Sequence, residues 1–171
     1  MPIRTSFALT AAVAAVPALS AELTLKVQLP RMDIAEYHRP YVAAWIEKAS
    51  DQSYAGNIAL WYDTKKRDNG GAKWLKEMRS WWRKSGHDTA VVDGVTGATR
   101  TAGEHALNLL DAKAVAALSP GQYEVVVEAA RENGGREVVR VPFEWPVRKA
   151  QLAAKAQGQG ELGAVSLDAK P

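Results

Sequence analysis

Cysteine is absent from the 171-residue chain. That one absence removes disulfides, thiol catalysis, iron–sulfur ligation and Cys-type zinc sites together. Long apolar runs are missing too: outside the first twenty residues no stretch approaches the about 18 residues a membrane helix needs, which excludes a multi-span membrane protein. Charge of one sign is scarce, because Lys plus Arg exceed Asp plus Glu by only 22 − 19 = 3. So small an excess argues against a nucleic-acid partner, since nucleic-acid binders concentrate far more positive charge. Catalytic signatures are equally thin. There is no G-x-S-x-G elbow, P-loop or dinucleotide fingerprint. His38, His87 and His105 lie far apart, outside any H-x-x-x-H or H-x-H spacing. Asp33, Glu36, Glu47 and Asp63 stand as isolated carboxylates. No catalytic residue and no metal ligand is assigned. What remains is a chain 47% apolar, which excludes wholesale disorder. Its length suits one domain able to bury roughly 70% of its unfolded surface.

The N-terminus reads as an address. Arg4 supplies a short positive region, Thr5 to Val16 is rich in Ala, Val and Leu, and Pro17 precedes Ala18-Leu19-Ser20-Ala21. That layout is a secretory signal peptide over residues 1–21, cleaved after Ser20 or Ala21. It directs the protein to the periplasm, with no stable membrane span and a mature formal charge of 21 − 19 = +2.

Residues 22–171 read as one β-sandwich domain, because period-2 alternation recurs along them. Leu23, Leu25 and Val27 alternate with polar residues. Pro40 to Glu47 is apolar on both faces and suits a central strand. Further strands are expected at Asn57–Tyr62, Thr89–Val92, Glu104–Leu110, Gln122–Ala129, Arg136–Trp145 and around Val165 and Leu167. Glu132-Asn133-Gly134-Gly135 is a hairpin signal, since Asn and Gly tolerate positive φ. Pro142 and Pro146 place the second arm at a sheet edge. The expected fold is mainly β: an immunoglobulin-like antiparallel β-sandwich with one short amphipathic helix. That helix is Ala72 to Lys84, where Trp74, Leu75, Met78, Trp81 and Trp82 form one apolar stripe opposite Lys and Arg. It is read as a structural cover, with a membrane-surface or anionic-partner contact as the other reading. Tyr41, Trp45, Trp61, Tyr62 and Trp74 are expected in the core. Ala150 to Gln159 lacks a clear apolar face and reads as a linker.

One stretch carries chemistry. Asp93-Gly94-Val95-Thr96-Gly97-Ala98-Thr99-Arg100 has the residues of an ordinary turn. It also resembles the acceptor motif of covalently flavinylated proteins: an Asp, two spacers, then Ser/Thr-Gly-Ala-Ser/Thr. Membrane-associated sodium-pumping and electron-bifurcating redox complexes carry that motif in their FMN-binding subunits. In them an FMN transferase moves FMN from FAD onto the last hydroxyl residue. The resemblance makes Thr99 the attachment residue, with Asp93, Gly94, Thr96, Gly97, Ala98 and Arg100 around it. Gly97 and Ala98 keep the backbone narrow for close approach. Asp93 is suited to orienting the turn. Arg100 is suited to pairing with the attached phosphate.

The wider chain resembles a family of predicted periplasmic proteins, domain-of-unknown-function family twenty-two seventy-one. The resemblance rests on Pro40 to Glu47, Leu60-Trp61, Trp81-Trp82, Val95 to Arg100, Ala129-Ala130-Arg131-Glu132 and Glu161-Leu162-Gly163-Ala164. It implies an immunoglobulin-like sandwich whose second half, opening at Pro120-Gly121-Gln122-Tyr123, is related to the flagellar hook-capping fold. Family members tend to be encoded beside PepSY-domain membrane proteins and FMN transferases, which implies those two as partners and covalent FMN as cofactor. This chain departs from the family pattern at Thr101-Ala102-Gly103, where proline is more usual, and at Asn133, where histidine is usual. Two function classes follow. One is a flavinylated periplasmic electron-transfer module, a carrier with no turnover of its own. The alternative is a non-redox periplasmic binding or structural domain, in which the motif is only a turn. A metal- or haem-uptake accessory is a third, motivated only by the three histidines.

Overall fold

A computed structural model describes residues 22–85, 95–147 and 154–170. The expected signal peptide over residues 1–21, the expected strand Thr89–Val92, and His87, Asp93 and Gly94 lie outside the described residues. The strands are β1 (Glu22–Leu29), β2 (Tyr41–Lys48), β3 (Tyr54–Tyr62), β4 (Thr96–Ala98), β5 (Gly103–Asn108), β6 (Gly121–Ala130), β7 (Arg136–Trp145), β8 (Ala154–Gln157) and β9 (Ala164–Lys170). They form a four-stranded sheet ordered β5-β1-β9-β8 and a five-stranded sheet ordered β4-β3-β2-β6-β7. The mainly β, sandwich-like arrangement expected from the alternation is what forms.

Alternation explains which sheet face is buried. Leu23, Leu25, Val27 and Leu29 of β1 point inward and meet Val42, Ala44 and Ile46 of β2 together with Val125, Val127 and Ala129 of β6. Burial of such side chains supplies about 1.5–3 kcal/mol each, the main term holding the two sheets face to face. Strand β2 is buried over Tyr41–Glu47 because its other face is covered as well. On that outer side Tyr41, Ala43, Trp45, Leu60, Tyr62 and Val126 receive Leu75, Met78 and Trp81. The apolar stripe read from the sequence therefore packs on the sheet, and the segment is a third layer.

That layer is not one helix. Ala72–Glu77 winds as a 3-10 helix, Met78 leaves helical geometry at ψ 73°, and α1 (Arg79–Lys84) follows. The break has a cause. The carboxylate of Glu128, fully buried on β6, accepts from the backbone N–H of Ser80 at 3.1 Å and of Trp81 at 2.8 Å. A strand residue thus takes the place of an N-cap side chain. Glu47 is also fully buried and accepts from Trp45 Nε1 and from Arg140, each at 2.8 Å. Gly71 lets the layer start close to the sheet, since a Cβ there would lie 1.9 Å from the carbonyl oxygen of Asp63.

Four expectations need correction. Ala150–Gln159 is not simply a linker: Ala154 and Ala156 pack on the core while Lys155 and Gln157 face water, so β8 forms and pairs with β9. The small side chain of Ala gives alternation too weak an apolar signal to read. The sheet is not wholly antiparallel, because β4 runs parallel to β3, with Leu60 opposite Thr96 and Tyr62 opposite Ala98. The strand expected to run to Leu110 ends at Asn108, whose side chain accepts from the Leu110 N–H and starts a 3-10 turn over Leu109–Asp111. A second short helix, α2 (Lys113–Ala116), follows it and buries Val115. The hairpin between β6 and β7 forms as expected, with Asn133 at φ 55°. As Pro142 implies, β7 is an edge strand.

Candidate functional site

The acceptor-like motif is not a free turn. Thr96, Gly97 and Ala98 are β4 itself, an edge strand held on β3 by parallel pairing. The Leu60 N–H donates to Val95 at 2.8 Å, and the Thr99 N–H donates to the Tyr62 carbonyl at 3.2 Å. Thr99 is therefore fixed by its backbone at the point where the strand pairing stops. Its side chain is half-buried, and its hydroxyl has no hydrogen-bond partner among the described residues. Ala98 and Arg100 on either side are exposed.

Gly97 faces Trp61. A Cβ at Gly97 would meet the indole at 3.6 Å, an ordinary contact, and its φ is not in the left-handed region. Neither packing nor backbone conformation requires glycine there, so the narrow backbone is left available for an approaching partner. Arg100 lies with its guanidinium 4.9 Å from the Trp61 ring centroid, and Trp61 meets His105 edge-on at 5.7 Å. His105 Nε2 in turn contacts the Thr101 carbonyl oxygen at 2.7 Å. The segment after Thr99 is thus fastened to β3 and β5 by a cation–π contact and its aromatic neighbour, a contact usually worth about 0.5–1 kcal/mol at an exposed site.

Thr99 opens into a cavity of about 330 Å³ at one end of the five-stranded sheet. Its walls come from elements distant in sequence. Tyr37, His38 and Arg39 lie between β1 and β2, Tyr41 starts β2, Asp63 and Lys66 follow β3, and Glu132 sits in the β6–β7 turn. Glu132 organises the far wall. Lys66 Nζ donates to both of its oxygens, at 2.7 and 2.6 Å, and the Tyr41 hydroxyl donates to Oε1 at 2.7 Å. Burial works against ionising Glu132, but the hydrogen bonds from Lys66 and Tyr41 outweigh it and hold its carboxyl below the ordinary value. Burial and the adjacent Glu132 push the Tyr41 phenol far up, so it stays protonated and donating. Lys66 also lies 5.7 Å over the ring of Trp74, which ties the cavity to the helical layer.

The sequence reading singled out one member of this constellation as a site residue, Thr99. It placed Tyr41 in the core, which is correct for its ring but silent on its hydroxyl. It treated Asp63 as isolated and His38 as unassigned, and the structure brings both to the cavity. Tyr37, Arg39, Lys66 and Glu132 were missed; only the Ala-Arg-Glu run ending at Glu132 gave any signal. Its neighbour Arg131 does something else. It forms a two-pronged pair with Glu161, Nε at 2.6 Å and Nη2 at 2.9 Å, locking the β6–β7 turn to the segment before β9. Among the described residues no cluster of three or more potential metal ligands occurs. No described helix is long and apolar enough to cross a membrane.

The family model described as "Predicted periplasmic protein (DUF2271)" matches residues 22–164. No curated protein and no solved structure matches the chain. The match covers most of the sequence, and the chain belongs to this family of predicted periplasmic proteins.

Proposed function

We propose that this family member is an exported electron-transfer protein that carries FMN covalently on Thr99. Its signal peptide is removed after Ser20 or Ala21, and it works with an FMN transferase and a PepSY-type membrane redox protein. The observation that supports the reading most is the state of Thr99: its backbone is pinned to Tyr62, its hydroxyl is unpartnered among the described residues, and the residue lines a polar cavity of about 330 Å³. A threonine serving as a turn residue often spends its hydroxyl on a nearby backbone group, which Thr99 does not do among the described residues.

The residues present fit such a group. The volume falls at the low end of the roughly 300–1,000 Å³ usual for small-molecule sites, enough to seat part of a cofactor tethered at its rim. Attachment would form a phosphoester between Thr99 Oγ1 and the FMN phosphorus of FAD. The pyrophosphate bond breaks, AMP leaves, and the hydroxyl proton passes to a base of the transferase. Arg100, exposed beside Thr99, and Arg39 and Lys66 in the cavity offer cations for the remaining phosphate charge. Tyr37 offers ring surface, and Glu132 holds Lys66 and the Tyr41 hydroxyl in place. When bound, the flavin supplies the redox chemistry, and the protein supplies its position and surroundings.

The test is the intact mass of mature protein made with an active FMN transferase. A gain of one FMN less one water, mapped to Thr99 and absent in Thr99→Ala, is the expected result. Thr99→Ala should shift stability by less than about 0.5 kcal/mol, because the hydroxyl makes no bond to any described residue. Unmodified protein alongside a modified control acceptor would refute the proposal and leave the cavity as the binding site of a non-redox module.

A further inference from the structure

The charge of this protein is unevenly placed. Residues 64–85, which carry the helical layer, contain eight Lys and Arg against two carboxylates, Asp68 and Glu77, a net of +6. The whole chain carries +3, so everything outside this segment sums to −3. The layer's inner side is committed to the sheet through Leu75, Met78 and Trp81, so its charged side chains face outward. Two of the eight cations are engaged: Lys66 with Glu132, and Lys84 with Glu47. Lys65, Arg67, Lys73, Lys76, Arg79 and Arg83 are exposed and have no carboxylate partner among the described residues. Two indoles, Trp74 and Trp82, are only half-buried among them.

The opposite face of the sandwich differs. On the outer side of the four-stranded sheet Glu22, Glu104 and Asp168 balance Lys26, Lys155 and Lys170, and Lys26 pairs directly with Asp168 at 2.8 Å. The positive excess is thus a property of one side of the molecule.

We infer that the helical layer is the face by which this protein docks, reversibly and without insertion, on a bilayer surface bearing anionic phospholipid. Three features favour a lipid surface over an acidic protein. The cations are spread along a layer lying over a sheet rather than gathered in a cleft. They are mixed with half-buried tryptophans, the side chains best suited to the headgroup region. Of the six cations without a carboxylate partner, Arg83 alone makes a side-chain hydrogen bond among the described residues, to the Arg79 carbonyl of its own helix at 3.2 Å, so no scaffold fixes them for one partner geometry. The layer's apolar stripe is already used inside the protein, so attachment is electrostatic, and it sums modest contributions from each cation near the surface. Lys66, which lies over Trp74 and lines the Thr99 cavity, puts the mouth of that cavity beside the docking face. The inference does not depend on flavin attachment.

The test is flotation of the unmodified mature protein with vesicles of phosphatidylcholine alone or with about a third phosphatidylglycerol. Binding is expected only to the anionic vesicles, and it should weaken steeply as salt shortens the Debye length from about 10 Å. Replacing Lys73, Lys76 and Arg79 together with Gln should lower partitioning about a hundredfold, roughly fivefold per cation removed. The matched variant Lys113→Gln/Lys155→Gln/Lys170→Gln loses the same net charge elsewhere and should bind within a few-fold of the parent. Equal binding to both vesicle types, or equal loss in both triple variants, overturns the inference. So does failure on vesicles combined with retention on immobilised polyglutamate, which would make the partner an acidic protein.

Discussion

Removing the carboxylate of Glu128 should loosen the helical layer by an amount the structure sets. Glu128 is fully buried and accepts the Trp81 N–H at 2.8 Å and the Ser80 N–H at 3.1 Å, while Arg136 reaches it from the surface. Glu128→Ala orphans both donors. A buried donor left without a partner costs about 1–3 kcal/mol. The Trp81 N–H has no water to turn to, because Trp81 is fully buried, and belongs at the upper end. The Ser80 N–H is only part-buried and belongs at the lower end. Arg136, its side chain 37% exposed, loses little by returning to water. The sum is about 2–4 kcal/mol, against a total stability of roughly 5–15 kcal/mol for an ordinary domain. At 2–4 °C per kcal/mol for a protein of this size, the melting temperature should fall by about 5–15 °C.

Two probes separate the outcomes. Tryptophan fluorescence weights the layer, which holds Trp74, Trp81 and Trp82 of the six tryptophans, and far-ultraviolet circular dichroism weights the sheets. Glu128→Ala should lower the fluorescence transition at least as much as the dichroism transition. Arg136→Gln is the companion variant: it leaves both backbone donors satisfied and keeps a side-chain amide within reach, so it should cost less than Glu128→Ala even though the buried carboxylate loses its counter-charge. A change under about 2 °C for Glu128→Ala would show that the carboxylate does not hold α1. Equal losses in the two variants would show that the ion pair, not the backbone capping, carries the energy.

Gly97→Ala separates packing from recognition. Because a Cβ would sit 3.6 Å from Trp61, the variant should melt within about 2 °C of the parent, yet lose flavin attachment if the transferase needs a narrow backbone; undiminished attachment would remove Gly97 from the motif. Acid should destabilise the protein through Glu47, Glu132 and Glu137. Burial works against ionising all three, but it is outweighed by Arg140 and Trp45 at Glu47, by Lys66 and Tyr41 at Glu132, and by backbone N–H groups of 159–162 at Glu137. Their folded-state values are depressed, so the stability they lend is fully present above the unfolded Glu value of about 4.3 and is lost as pH falls below it. Urea midpoints measured from pH 7 to pH 3 should therefore drop steeply only at the acid end, and a flat profile would contradict these assignments.

The fold was largely legible because its driving pattern is local. Inward Leu and Val at every second position of β1, and a β2 apolar on both faces, report burial without any knowledge of partners. What escaped depends on residues far apart in the chain. The break at Met78 follows from a carboxylate on β6, some fifty residues later, accepting the N–H groups of Ser80 and Trp81, so helical spacing over Ala72–Lys84 was right about the buried stripe and wrong about continuity. β4 escaped because its only sheet partner among the described residues is parallel β3, and three residues of Thr, Gly and Ala carry no alternation to read.

The candidate site divides along the same line, and the division says which part of it deserves the first experiment. Thr99 was legible as a motif, a string of neighbours, but a string reports nothing about whether its last hydroxyl is reachable. Reachability is set by elements the motif does not contain: Tyr62 fixes the Thr99 backbone, and Tyr37, Arg39, Lys66 and Glu132 build the space before it. The net charge misled in a related way. An excess of three cations over 171 residues looks featureless, yet +6 of local charge sits on residues 64–85, which carry the helical layer, and −3 elsewhere. Averages over a chain erase what a folded layer concentrates. If Thr99 carries flavin and the layer meets an anionic bilayer, both properties converge at Lys66, which lines the one and borders the other. Lys66→Gln should then weaken vesicle binding by no more than one cation's share while disturbing Glu132 and Tyr41, so a variant that changes flavin attachment or potential with near-normal flotation would separate the two roles at a single residue.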